Sequence, residues 1–488
     1  MLRQLMKDSL VYGVAGVLSR GVSFLLLPLY THYLTPADYG ITDMVAVLGV
    51  ISAVLFTLEQ PQGFGRFYPE AKTDEERVAY ASTTLFFNLI GYTLLMVVGF
   101  AFKGPLTSIF IGDPQREGLL LLSLPWIWTN GVVSFLQLYF RFSLSPGKYT
   151  AVSLSNVLSS IAMTVVFVVV MKMGVAGVLL GQISGRVLGS VVGFVLAGRV
   201  FVPRIDTVRL REMLAYSAPL VPSSLSVLVT LYIYRFFLKQ DMSLADVGIY
   251  GIAQRFAAIA GLAMGAFQTA LVPLIYNHYK EERTPFDLAR LMRLFTAFGA
   301  VALAGLALFS REMLVVFTTP AYYSAAGLIV IVAAGVLMSN MYIFAPGLDI
   351  MKRTRVIAVI SVIGALLSVL LNWLMIPWLG VYGAAFAGLI SPFITFIIYT
   401  RYSQNLYPVP HKWLPIVAGA AMTVAVSVVA CYIELPWYFG IPVKTAILGV
   451  FCMFVIAVGL VRRETLVTGY ARVAGMIGPK ENIPRGLE

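Results

Sequence analysis

Long apolar stretches separated by short polar segments follow one another along almost the whole chain. A helix needs about 20 mostly apolar residues to cross roughly 30 Å of hydrocarbon, and by that criterion we expect about fourteen spans. Apolar runs such as residues 161–171 do not alternate with polar residues, as the strands of a membrane β-barrel would. The pattern predicts an all-α polytopic membrane protein with spans 1 to 14 at residues 9–31, 41–60, 80–102, 118–140, 150–171, 175–198, 213–237, 246–276, 288–309, 322–347, 355–377, 381–402, 413–433 and 442–461.

Composition and charge agree with this class. Residues are 59% hydrophobic and 12% charged, and a water-soluble fold could not bury that much apolar surface. With the N-terminus inside, 25 of the 35 Lys and Arg fall on inside segments, about 6 outside and 4 within spans. The positive-inside rule therefore places both termini in the cytoplasm. The basic inside segments also account for the net charge of +12, so this charge does not indicate nucleic acid as a partner.

Other sites are excluded by what the sequence lacks. Its two cysteines, Cys431 and Cys452, both lie in apolar segments and offer neither a disulfide framework nor a thiol metal site. No Gly-x-x-x-x-Gly-Lys-Ser/Thr loop is present to bind nucleotide phosphates. We expect no cofactor and no metal, and energy would come from a proton or sodium gradient or from consumption of the substrate.

An internal duplication is visible. The segment Leu34-Thr-Pro-Ala-Asp-Tyr-Gly40 returns as Met242-Ser-Leu-Ala-Asp-Val-Gly248, and Gly174-Val-Ala-Gly177 returns as Gly380-Val-Tyr-Gly383, at offsets of 208 and 206 residues. Two matches at nearly one spacing predict two pseudo-symmetric six-helix lobes, with a binding site between them near the midplane. The predicted boundaries are 1–200 for spans 1–6, 201–405 for spans 7–12, 406–465 for spans 13 and 14, and 466–488 for a cytoplasmic tail.

Arginines deep inside spans are the main candidates for function. A charge at bilayer depth costs at least about 2.5 to 3.5 kcal/mol, so such residues face a cavity or a partner. Arg20, Arg186 and Arg255 lie deep in spans 1, 6 and 8. Arg235, near the outer end of span 7, is expected to extend to the interface. Guanidinium groups bind phosphate through bidentate charge-assisted hydrogen bonds, so the predicted ligand is a phosphate or diphosphate.

Polar residues at helical spacing along several spans are further candidates for lining the same cavity. Structural roles remain open as alternatives: the glycines of spans 6 and 8 suit close helix packing, and the arginines could form ion pairs that hold helices together. The acids Asp43 and Glu59, at the two ends of span 2, are ion-coupling candidates or ordinary interfacial carboxylates. The predicted substrate-binding residues are Arg20, Arg255, Arg186, Gln254, Asn130, Gln137 and Tyr234.

Two segments carry a family resemblance: residues 25–40, Leu-Leu-Leu-Pro-Leu-Tyr-Thr-His-Tyr-Leu-Thr-Pro-Ala-Asp-Tyr-Gly, and residues 380–388, Gly-Val-Tyr-Gly-Ala-Ala-Phe-Ala-Gly. The chain resembles the Wzx-type polysaccharide transport flippases of the multidrug/oligosaccharidyl-lipid/polysaccharide superfamily, which also contains MATE transporters and the lipid II flippase MurJ. The resemblance implies a V-shaped pair of lobes that moves undecaprenyl-diphosphate-linked oligosaccharide across the bacterial inner membrane by alternating access. It also implies membrane lipids and the pathway's polymerase and ligase proteins as partners.

Alternatives remain within and outside this class. A MurJ-like lipid II flippase differs mainly in the motif of the first loop. A MATE-like cation or drug exporter would need an acid-lined first lobe, and span 1 offers Arg20 instead. A membrane glycosyltransferase, polymerase or ligase would need catalytic groups, usually in a long outside loop, and the outside segments of this chain are short. We therefore expect a transporter rather than an enzyme.

Overall fold

The computed structural model describes residue 24 and residues 26–431 and 437–461. For residues 262–270, 272–274, 277, 431, 437 and 438 it describes the backbone only. In these ranges the chain is helical and contains no strand, which confirms the predicted all-α architecture. The helices are α1 (Leu27–Tyr33), α2 (Pro36–Thr57), α3 (Gln60–Phe67), α4 (Asp74–Ala101), α5 (Lys103–Phe110), α6 (Glu117–Phe142), α7 (Pro146–Thr164), α8 (Gly174–Ala197), α9 (Thr207–Ser217), α10 (Val221–Asp241), α11 (Leu244–His278), α12 (Thr284–Phe317), α13 (Ala326–Met338), α14 (Gly347–Ile350), α15 (Thr354–Leu379), α16 (Val381–Leu406), α17 (Trp413–Cys431) and α18 (Trp437–Ala457).

Within the described residues, 12 helical segments are long and apolar enough to cross a membrane. Their apolar side chains are often exposed, as hydrocarbon-facing residues are; on α15, Leu366 is 65% and Trp373 59% exposed. Span 1 lies mostly outside the described residues, and part of span 8 is described as backbone alone. The predicted total of fourteen therefore stays a prediction.

The chain divides into two compact units. The first comprises Met1–Phe256, Glu312–Leu328 and Arg355–Thr395. One of its cores packs α3, α4, α6 and α9 around Phe64, which is fully buried and lies 4.7 Å from the ring of Tyr68. Polar contacts also hold α9 to α4: Tyr80 donates a 2.6 Å hydrogen bond to Glu212. The segment that follows span 6 is therefore an integral part of this unit.

The second copy of the Gly-Val-x-Gly motif repeats the backbone geometry of the first. Gly174 has φ +54° and Gly380 has φ +57°, a left-handed conformation that favours glycine. Gly174 is the first residue of α8, and Gly380 directly precedes α16. Four residues before Gly174, the preceding span ends in a π-helical turn, Val165–Val170. A Cβ on Gly177 would come within 2.9 Å of the carbonyl oxygen of Phe167. The duplication seen in the sequence therefore exists at the level of backbone conformation.

The second unit comprises Ala257–Arg311, Ile329–Thr354 and Phe396–Glu488. In one of its clusters, Phe295 of α12 packs against Phe344 with ring centroids 5.5 Å apart. In the other, small residues on one face of α12, among them Ala300 and Ala304, pack against Phe451 of α18 and Val426 of α17. Spans 13 and 14 therefore pack on span 9 within this unit.

Candidate functional site

Helices α7 and α8 lie unusually close together because α8 presents glycines to α7 every four residues. A Cβ on Gly185 would overlap the hydroxyl oxygen of Ser160, and one on Gly189 would lie 2.8 Å from Cβ of Asn156. Such small-residue stripes let helix backbones approach each other in membranes. The close approach brings Asn156 and Ser160 of α7 beside Arg186 of α8.

A cavity of about 220 Å³ lies at this junction, within the first unit. Among the residues that the structure describes, its lining contains two arginines, Arg186 and Arg255, and no acidic residue. Neutral polar groups and apolar side chains complete the wall. The lining residues are Leu26 and Tyr30, which lie just before and within α1, Asn156, Val157, Ser160 and Ile161 of α7, Gln182 and Arg186 of α8, and Arg255 of α11.

Arg186 is oriented by neutral groups. Its Nη1 donates a 2.9 Å hydrogen bond to the carbonyl oxygen of Trp126, and its Nη2 donates one of 3.3 Å to Oε1 of Gln182. The guanidinium carbon lies 4.1 Å from the centroid of the Trp126 ring, and the indole N–H donates to the same Gln182 oxygen at 2.8 Å. Two of its five N–H donors are used in these bonds. The side chain is positioned while its positive charge is not neutralised by these partners.

Arg255 also has an uncharged neighbour. Its guanidinium carbon lies 5.0 Å from the centroid of the fully buried Tyr39 ring, a cation–π distance. In the described part of the chain, neither Arg255 nor Arg186 has a carboxylate oxygen within 4.0 Å. Two positive charges therefore line one cavity without an acidic partner among the described residues.

Arg235 differs from the other two arginines, and its predicted extension to the interface is wrong. Its side chain is buried, and its Nε donates to Oδ2 of Asp43 at 2.5 Å. Its Nη2 donates a 3.0 Å hydrogen bond to Gln254, and the hydroxyl of Tyr234 donates to the same Gln254 oxygen at 2.5 Å. A carboxylate at hydrogen-bonding distance offsets the desolvation of the guanidinium, so this arginine stays inside.

The remaining predicted residues have other surroundings. Gln254 and Tyr234 belong to the cluster around Arg235 rather than to the cavity wall. Asn130 is exposed on α6, and the Gln137 amide donates to the Ser153 hydroxyl at 3.5 Å. Glu59 has φ +54° at the start of α3.

Arg20 lies outside the described residues. Substrate binding by the predicted residues, and ion coupling by Asp43 and Glu59, stay predictions.

Four polar residues of the cavity wall are not among the predicted substrate-binding residues: Gln182, Tyr30, Asn156 and Ser160. The signal for the last two is present, because Ser153, Asn156 and Ser160 are spaced i, i+3, i+7 along span 5. A polar stripe at that spacing in an otherwise apolar span would have identified the face of α7 that lines the cavity. Tyr30 carries no such pattern.

The fold and the cavity together define a class: an all-helical membrane protein with a positively charged cavity between its helices. Residues 5–278 match the family model described as polysaccharide biosynthesis protein. The chain belongs to this family, which confirms the recognition made from its motifs. A search of curated proteins gives no match.

Solved structures share the fold. The lipid II flippase MurJ in an inward closed conformation superimposes with a TM-score of 0.72 at 14% identity, over 91% of this chain and 98% of that one. An inward-facing MATE family transporter of the MOP superfamily superimposes with a TM-score of 0.64 at 14% identity, over 82% of this chain and 96% of that one. The Vibrio cholerae MATE transporter VcmN in the bent form superimposes with a TM-score of 0.53 at 16% identity, over 83% of this chain and 98% of that one. These similarities confirm the predicted MurJ- and MATE-like fold.

Proposed function

We propose that the protein is a flippase for undecaprenyl-diphosphate-linked oligosaccharide, the repeat unit of an O-antigen, capsule or exopolysaccharide. It moves the headgroup from the cytoplasmic to the outer leaflet of a bacterial inner membrane by alternating access between two lobes. The observation that carries the proposal is the cavity in which Arg186 and Arg255 meet, with no acid among the described residues of its wall. Membership of a polysaccharide biosynthesis family and a fold shared with transporters support it.

Charge matching selects the ligand class. Two half-buried guanidinium groups with no carboxylate oxygen of the described residues within 4.0 Å carry a desolvation cost, and an anion that enters the cavity offsets it. A diphosphate diester carries one negative charge on each phosphate, and so matches the two arginines. Organic cations would be repelled, which disfavours the alternative of a MATE-like exporter.

The neutral wall suits the part of the headgroup next to the diphosphate. Asn156 and Ser160 present an amide and a hydroxyl, which can exchange hydrogen bonds with sugar hydroxyl or acetamido groups. The polyprenyl tail stays in the lipid throughout. A surface glycan is favoured over lipid II because the family match is to polysaccharide biosynthesis.

A reconstituted flipping assay tests the proposal. Purified protein is placed in liposomes that contain labelled polyprenyl-diphosphate oligosaccharide, and the headgroup that becomes accessible in the opposite leaflet is measured over time. Arg186→Ala and Arg255→Ala should each slow flipping about tenfold or more, because a charge-assisted hydrogen bond contributes about 1.5 to 3 kcal/mol and 1.4 kcal/mol is tenfold.

Arg141→Ala is the matched control, since Arg141 is exposed on α6 and should leave the rate unchanged. Wild-type rates in both cavity variants would contradict the assignment of the cavity. Efflux of an organic cation on an imposed gradient, with no flipping of any glycan lipid, would contradict the proposed function.

A further inference from the structure

The two copies of the Ala-Asp-x-Gly motif begin two helices in the same way. Thr35 caps α2, accepting a hydrogen bond from the backbone N–H of Asp38 at 3.2 Å. Ser243 stands in the same relation to Asp246 of α11, again at 3.2 Å. In each copy the aspartate side chain bonds back to the capping residue. The aspartates of the motif are therefore explained by helix capping, and the glycines need another reason.

That reason is a reciprocal contact between the two copies, which we call the glycine contact. A Cβ on Gly40 would overlap the carbonyl oxygen of Leu244, and a Cβ on Gly248 would overlap the carbonyl oxygen of Pro36. Both obstacles are backbone atoms, which cannot rotate away. Helices α2 and α11 thus meet at their first turns with only glycine Cα–H groups between them.

The Asp43–Arg235 ion pair lies directly beyond the glycine contact. Asp43 is three residues after Gly40 on α2, and a Cβ on Gly251, three residues after Gly248, would lie 3.4 Å from its carboxyl carbon. Arg255 follows one turn further along α11, where it lines the cavity. The ion pair joins Asp43 of α2 to Arg235 of α10, and Arg255 of α11, which lies over the Tyr39 ring of α2, lines the cavity. The glycine contact, the ion pair and Arg255 therefore succeed one another inward from the first turns of α2 and α11.

We infer that the duplicated motif is the outer closure of the transport cavity. Opening the cavity on the side that the charge distribution assigns to the outside requires α2 and α11 to part at the glycine contact and the Asp43–Arg235 pair to break. A contact without side chains buries little apolar surface, so it can part and re-form at small cost, while the Asp43–Arg235 ion pair between α2 and the neighbouring α10 holds it shut. The inference rests on alternating access in the proposed function and is independent of which anion is carried.

Side-specific labelling tests the closure. In a background with Cys431→Ser and Cys452→Ser, Ser160→Cys places a thiol in the cavity wall. A membrane-impermeant maleimide is then added to intact cells. Gly40→Ala and Gly248→Ala should each raise labelling of this thiol several-fold, because the added methyl keeps the two helices apart.

Gly104→Ala is the matched control. Gly104 lies on α5, which is also predicted to lie on the outer side of the membrane, and a Cβ there meets nothing within 4 Å. Asp43→Asn removes the charge at nearly constant volume, and should also raise labelling, so it decides the question if the glycine variants do not fold. Unchanged labelling in the folded variants, or an equal rise in Gly104→Ala, would overturn the inference. Labelling needs no substrate, so its result is separate from that of the flipping assay.

Discussion

Three arginines of the first unit are held by different kinds of partner. Arg235 has a carboxylate, Arg186 has a carbonyl and an amide oxygen, and Arg255 has the face of a tyrosine ring. Depth in a span is readable from sequence, and it singled out Arg186 and Arg255, whereas Arg235 was expected to extend to the interface. The partners were not readable, because Asp43 and Arg235 are 192 residues apart in the chain and only the fold brings them together. Only the structure shows that, among the described residues, Arg186 and Arg255 have no carboxylate oxygen within 4.0 Å while Arg235 has one.

Protonation of His411 is expected to weaken the second unit. His411 lies in the link between α16 and α17, its ring centroid 5.3 Å from that of Trp413, and burial lowers its pKa from 6.5 to about 4. The folded state therefore favours the neutral ring, while the unfolded chain takes up a proton as the pH falls below 6.5. Thermal unfolding temperature should be constant above that pH and fall progressively towards pH 4.

His411→Phe should flatten this part of the pH profile. Unfolding is followed by intrinsic fluorescence in detergent, with wild-type and variant protein in the same buffers. An identical slope in both proteins between pH 6.5 and 4 would show that other groups cause the loss of stability.

At the scale of elements, the apolar pattern located the spans because hydrocarbon leaves helices no alternative for their backbone hydrogen bonds. It could not show which face of each span turns inward. The face of α7 was missed although its polar residues have helical spacing, and the glycines of α8 fitted packing in the sequence as well as in the structure. The helix against which those glycines pack, α7, is determined by the tertiary structure and cannot be read from the glycine spacing.

Packing of α7 on α8 should be sensitive to a single methyl group. In Gly185→Ala the new Cβ would overlap Ser160 and lie 2.6 Å from the carbonyl oxygen of Asn156, so α7 has to move. Overpacking of this kind costs about 1 to 3 kcal/mol. We expect a lower thermal unfolding temperature and slower flipping, because the displaced residues form the cavity wall.

Gly147→Ala on α7 is the comparison, since a Cβ there meets nothing within 4 Å. Its unfolding temperature and flipping rate should match those of the wild-type protein. If the two alanine variants behave alike, close packing of α7 and α8 does not shape the cavity.

For the whole molecule, the duplication was predictable because glycines at backbone contacts and left-handed turns cannot easily be replaced, and so both copies keep them. The composition of the two units was not predictable from spacing: residues 312–328 and 355–395 belong with the first 256 residues. Contacts between helices distant in sequence decide that grouping, and they leave no periodic signal.

Sidedness follows from charge and has a direct test. With the native cysteines replaced by serine, Pro114→Cys and Pro203→Cys place exposed thiols in segments predicted to lie outside and inside. An impermeant maleimide should label the first in intact cells and the second only after permeabilisation, since 25 of the 35 Lys and Arg lie on the inside segments. The opposite pattern would reverse the assigned orientation.

The π-helical turn at Val165–Val170 explains why the two offsets of the repeat differ. Phe167 and Met375 are equivalent, because their carbonyl groups face the equivalent glycines Gly177 and Gly383. Six residues separate Phe167 from Gly174, whereas four separate Met375 from Gly380, where α15 continues unbroken to Leu379. The first copy is therefore two residues longer at this place, and its wider helical turn accommodates them while the glycine that leads into the next span is kept.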